Sequence, residues 1–145
     1  MTTISAAHYS EVDMARWRWP NFMPRELASR GGGSLVLSVN ALDALQALRT
    51  IVGAPLIITS AYRDPIHNAL VGGAPLSRHK KGDAFDILTT GHDRSKLLQL
   101  AIGAGFRGFG FYQTFLHVDI GRPRHWFGGD RSRALWNGLV TSLAA

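Results

Sequence analysis

Residues 115–120 read FLHVDI. As a strand, this stretch alternates: Leu116, Val118 and Ile120 share one face, and Phe115, His117 and Asp119 share the other. The aliphatic face has to be buried in a core, so the opposite face presents an imidazole and a carboxylate two residues apart. DAFDIL, at 83–88, obeys the same rule. Phe85 and Ile87 point to the core, while Ala84 and Asp86 lie opposite, and Ala84 leaves room beside Asp86. Just upstream, SRHKKGDAFD places His79 seven residues before Asp86. Gly82 lets the backbone turn sharply enough for His79 to swing back. If the two strands are neighbours, His79, Asp86 and His117 meet at one point. Two histidines and one carboxylate, with water as a fourth ligand, form a catalytic zinc pattern. Taken singly, the same residues also suit an exposed polar loop and ordinary surface histidines.

The rest of the chain reads as an α+β fold: a small, mostly antiparallel sheet with flanking helices. Residues 1–21 read as an extended N-terminal leader, including RWRWP, and 22–145 as one domain. Pro24 opens a short helix that Gly31 ends. From Asn40, the spacing of Leu42, Leu45, Leu48 and Val52 predicts a helix with Gly53 as its stop. PLIITS is a short strand. Asp64 and Pro65 then cap and open a helix that Gly72 and Gly73 end. A further helix runs from about Asp93 to Ala104. GFGFY and FLHVDI form a hairpin around QTF. Asp130 caps a last helix with Leu135, Trp136, Leu139, Val140 and Leu143 on its apolar side. GAGFRG imitates a dinucleotide-binding loop, but it follows a helix and precedes a strand, the reverse of what phosphate binding needs. Its glycines are a helix stop and a tight turn. There are no cysteines, so no disulfide braces the chain, and a metal site would use His, Asp, Glu or water.

SRHKKGDAFD followed by HVD resembles the zinc D-alanyl-D-alanine peptidases and their peptidoglycan endopeptidase relatives, which share a fold with the hedgehog signalling domain and lysostaphin-type enzymes. LDALQALRTIVGAPLIITSAYRDPIHNALVGGAPLSRH resembles the helix, strand and Ser-x-x-Arg segment of those enzymes. GRPRHW resembles the stretch after their last metal ligand. The similarity covers about residues 22 to 126. It implies a hedgehog/DD-peptidase-like fold, with His79, Asp86 and His117 as ligands of Zn2+. It also implies that Arg63 holds a substrate carboxylate or a developing oxyanion, a task suited to the guanidinium fork. Ser77 is expected beside a ligand or in a turn. His67 and Asn68 match the pattern mainly as helix-loop architecture, with His67 a further substrate contact. One position departs from the pattern. Many relatives carry an acidic general base three residues before the last histidine, where this chain has Thr114. Asp119, on the His117 face, is the expected substitute, and its alternative role is to orient a histidine. His125 is the second candidate base.

These readings imply a zinc peptidase acting on peptidoglycan stem peptides or cross-links. The alternative is a non-catalytic wall-binding module of the same fold. The formal charge of +6 and the pI near 10.5 suit an anionic wall polymer. The basic residues are scattered, and no nucleic-acid module is visible, so a nucleic-acid partner is not expected. No stretch approaches a membrane span, and MTTISAAHYSEVDM lacks the pattern of a signal peptide. The expectation is therefore synthesis in the cytoplasm and a phage or phage-like origin. The protein would act on the wall after release, as an endolysin, or in a particle with tail proteins as partners.

Overall fold

The structure, a computed structural model, describes residues 2–143. In chain order the strands are β1 (Thr3–Ala6), β2 (Leu35–Ser38), β3 (Ile58–Ser60), β4 (Ala84–Leu88), β5 (Gly108–Phe111), β6 (Phe115–Asp119) and β7 (Arg124–Phe127). The helices are α1 (Pro24–Leu27), α2 (Val39–Val52), α3 (Pro65–Leu70), α4 (Arg94–Ala104) and α5 (Asp130–Trp136). One sheet pairs β1 with β2; the other has the order β3-β4-β6-β5-β7. Every pairing is antiparallel except β5 with β7. The architecture is α+β, as the sequence implies.

Local chemistry sets the helix ends. The Ala41 N–H donates to the Ser38 hydroxyl at the start of α2, and Gly53 ends it in the left-handed conformation. Asp64 caps α3 and Asp93 caps α4 in the same way. Leu42, Leu45 and Leu48 are fully buried along one face of α2, which packs against α4. Phe85, Ile87, Leu116 and Val118 bury the core face of β4 and β6, as period-two alternation requires. The opposite face of the five-stranded sheet is left to build a site. Among the described residues, no helix is long and apolar enough to cross a membrane.

Several elements differ from the sequence reading, which assigned no strand to β2 or β7. Residues 2–20 are not an extended leader. β1 pairs along β2, and Trp19 is buried in the core with its indole N–H donating to Asp43 of α2. A tryptophan with a satisfied N–H and a buried ring anchors such a segment strongly. Helix α1 stops at Leu27, with Ala28 as its extended cap, well before Gly31. At α5 the cap position is Gly129, and Asp130 is the first helical residue, where its charge suits the helix dipole. Beyond Trp136 the chain tightens into a 3-10 turn over Asn137–Leu143, which breaks the helical spacing, and Leu135 is exposed.

Candidate metal centre

The antiparallel register of β4 and β6 sets Asp86 directly opposite His117. The third residue arrives from a 3-10 turn over Arg78–Lys81. Ser77 begins that turn, its hydroxyl accepting the His79 N–H, so Ser77 is a turn-former. Gly82 ends it with φ near 72°, in the left-handed region. A side chain there would also strike the Val36 carbonyl of β2, and the Ser38 N–H donates to the Gly82 carbonyl. The glycine therefore locks the histidine turn against the small sheet. His79 Nε2 and His117 Nδ1 each lie 3.1 Å from Asp86 Oδ1 and 3.2 Å from each other. All three residues are buried, and they are a group able to hold a metal ion.

The donor chemistry tests that fit. His79 Nδ1–H donates to the Ala61 carbonyl at 2.7 Å. His117 Nε2–H donates to Asp119 Oδ2 at 2.7 Å. With the far nitrogens carrying the protons, the near nitrogens of neutral imidazoles turn lone pairs toward a carboxylate oxygen. Such a set repels itself unless a proton or cation lies between. Zinc bonded at 2.0–2.1 Å in a tetrahedron separates its ligands by about 3.3 Å, close to the spacings seen. Burial opposes the charged form of Asp86, but its close contacts with His117 and His79 outweigh it and hold the carboxyl below its ordinary range. Burial likewise pushes His117 down, and Asp119 and Asp86 together raise it above its ordinary value. The pocket favours positive charge at its centre.

Asp119 is placed behind His117 rather than beside the triad. Its carboxylate accepts from Gly121 N–H, His117 Nε2–H and both terminal nitrogens of Arg124. It has no free oxygen with which to take a proton from water, so the geometry gives it the orienting role. His125 is also corrected. On β7 it stands between Arg124 and Trp126, and alternation turns its ring to the opposite face, toward Phe111 and Phe127. Thr114 is exposed at the hairpin turn. Arg63 faces the site: its Nη2 lies 3.7 Å from Asp86 Oδ2, its Nε–H donates to Ser60, and its Nη1 donates to Asn68. Asp64 instead caps α3 and accepts the Ser29 hydroxyl, which holds its carboxyl below the ordinary range. His67 sits on α3 with its Cβ side against Gly31, outside the lining of the cleft.

The triad forms the floor of a cleft of about 490 Å³, walled by Arg63, Arg78, Tyr112, Phe115, Arg124 and Trp126. The last three strands explain the wall. Gly108 pairs with Asp119 on one side and Arg124 on the other; Gly110 pairs with His117 and Trp126. A Cβ at Gly108 would strike both the Arg124 guanidinium and the Asp119 carboxylate, and one at Gly110 would lie 2.6 Å from the Trp126 ring. The two glycines of GFGF clear the site face of β5, so β7 side chains reach across it to their partners on β6. Arg78 braces the histidine turn through a two-point ion pair with Asp83. Sequence reasoning assigned no role to Arg78, Tyr112, Arg124 or Trp126. Arg78 lies within SRHKKGDAFD, and Arg124 and Trp126 lie within GRPRHW at period-two spacing that matches the spacing of Gly108 and Gly110.

A family model described as peptidase M15 matches residues 20–120. Proteins named peptidoglycan L,D-endopeptidase MepK, from Escherichia coli strain K12, Escherichia coli O6:H1 and Shigella flexneri, are each 33% identical over 93 residues. The match covers 58% of this chain and 51% of each relative, so the chain spans about half the length of the curated relatives it matches.

Proposed function

The chain belongs to the peptidase M15 family, and on that footing we propose that it is a zinc-dependent peptidase that hydrolyses peptide bonds in peptidoglycan stem peptides or cross-links. The observation that carries the reading is the convergence of His79, Asp86 and His117 with their far nitrogens already held by Ala61 and Asp119. The name of the relatives supports peptidoglycan as the substrate, and an endopeptidase bond as the one cut.

Zinc held by these residues supplies an acidified water and a polarised scissile carbonyl. The side chains do the rest. Arg63 faces the cleft beside Asp86 and suits a substrate carboxylate. The rigid strand pair fixes the ligands, and the Arg124–Asp119 pair holds the His117 ring in one orientation. Among the described residues, Asp86 is the only acid lining the cleft. The site therefore carries no dedicated carboxylate base, and this observation favours the second reading, a wall-binding module of the same fold. As part of the same proposal, the protein is made in the cytoplasm and meets the wall after release or within a phage-like particle. Fractionation of the tagged chain, with recovery in a particle or at the wall as the expected result, checks that point.

Zinc analysis combined with chromatography of digested cross-linked wall separates the readings. We expect about one zinc per chain and new peptide fragments, with both lost in His79→Ala. Full zinc in His79→Ala would sink the ligand assignment, and zinc without fragments would favour the binding module. Arg63→Lys keeps the charge but loses the fork, so turnover should fall roughly ten-fold or more at unchanged zinc content. Unchanged turnover would make Arg63 structural.

A further inference from the structure

Tyr112 lies one residue past the end of β5 and two on from Gly110, at the mouth of the hairpin. Its ring is fixed on two sides. It stacks on Phe115 with centroids 4.3 Å apart and planes 9° off parallel. Across from it lies the backbone of Gly128, where any Cβ would strike the Tyr112 ring. The phenol oxygen is fixed as well: Trp126 Nε1–H donates to it at 2.9 Å. Trp126 is itself seated over Gly110, with its ring centroid 4.9 Å from that of His117. Indole nitrogen is a donor only, so the tyrosine oxygen must accept there, which leaves its own O–H to donate elsewhere. Among the described residues no acceptor takes that proton, and the side chain lines the same cleft as the triad. Two glycines, a stacked phenylalanine and a tryptophan thus hold one phenol O–H in the cleft that the triad also lines.

We infer that Tyr112 is a catalytic hydrogen-bond donor to the carbonyl oxygen of the scissile amide, and that Trp126 is the positioning residue that aims it. The inference rests on the peptidase reading. When the water oxygen bonds to the carbonyl carbon, the π pair moves onto the carbonyl oxygen. Collapse of that adduct breaks the C–N bond, and the amine departs with a proton that came from the water. Tyr112 begins and ends the cycle as a phenol. Its hydrogen bond strengthens as charge grows on the oxygen, so it acts on the transition state more than on the bound substrate. A preset donor needs no reorganisation at that moment.

The test uses the zinc-loaded chain acting on cross-linked wall. Tyr112→Phe keeps the ring and its stacking but removes the O–H. We expect kcat to fall on the order of a hundred-fold, with KM and zinc content nearly unchanged. Trp126→Phe keeps an aromatic wall but removes the aiming N–H, and a loss of about ten-fold is expected. The double variant should be no slower than Tyr112→Phe alone, because both remove the same interaction. A second readout does not need turnover. A phosphinate pseudodipeptide, whose tetrahedral oxyanion replaces the scissile carbonyl, should bind Tyr112→Phe at least ten-fold more weakly than the parent. Parental kcat and phosphinate affinity in Tyr112→Phe would overturn the assignment while leaving the peptidase intact. A rise in KM alone would make Tyr112 a substrate contact and overturn it too. A parental chain that digests no wall would remove the peptidase reading and this inference together.

Discussion

The oxygens of Asp119 are already committed. A carboxylate offers about four lone-pair sites, and here Gly121, His117 and two nitrogens of Arg124 fill them. Burial would raise its pKa, but the hydrogen bonds from His117 and Arg124 outweigh burial and hold it well below the carboxylate range. A group in that state neither takes a proton from water nor leaves its partner. It keeps His117 presenting Nδ1 to the triad. Asp119→Asn retains the shape but offers an amide where the charge stood. Zinc affinity should then fall by about ten- to a hundred-fold, measured by competition with a chelating dye. Turnover at saturating zinc should be far less affected. Normal affinity with turnover lost at full occupancy would return the proton-acceptor role to Asp119. Period-two spacing made the Asp119–His117 adjacency legible, because both lie on one strand. Arg124 was not legible as the partner, since nothing in GRPRHW says which strand β7 will lie beside.

At the scale of elements, helices with caps and the strands PLIITS, DAFDIL, GFGFY and FLHVDI were readable, and the short strands β1, β2 and β7 were not. The caps at Asp64 and Asp93, the stop at Gly53 and the hairpin of β5 with β6 all follow from local chemistry. β1 and β7 have four residues each, and β7 joins through a parallel pairing that no turn announces. The N-terminal strand is fixed by β2 and by Trp19 on α2, contacts that no local pattern reports. The pairing of β7 also gives GFGF its meaning. Its phenylalanines fill the core, and its glycines leave a bare track on the site face. Gly110→Ala tests that track. The new methyl would sit 2.6 Å from the Trp126 ring, so the indole has to shift. We expect loss of about 1–3 kcal/mol of stability in chemical denaturation, the usual cost of overpacking. The indole N–H resonance of Trp126 should move as its bond to Tyr112 is lost, while zinc binding persists. An unmoved resonance would show that the wall does not depend on the bare glycine.

For the whole molecule, the sheet separates two environments: a packed face covered by helices and a polar face whose buried charges are balanced by one another. That balance ties stability to pH and to metal in opposite directions. In the metal-free chain, burial pushes His117 down, but Asp119 and Asp86 raise it above the ordinary imidazole value. A raised folded-state pKa contributes stability that is fully present below the unfolded value and lost as pH rises through the folded one. Zinc needs the same lone pairs free, so its binding displaces protons and strengthens as pH rises. With a chelator present, the melting temperature should therefore decline from about pH 6 to about pH 8, the range of imidazole titration. The increment given by saturating zinc should grow over the same interval. At zinc a thousand-fold above its dissociation constant that increment is about 4 kcal/mol, several degrees or more for a chain this size. Melting curves at matched pH, with zinc or with chelator, measure both trends. An increment that is flat across the interval would mean that the metal is not held through the buried imidazoles, because no other arrangement of His79, Asp86 and His117 spares it the competition with protons.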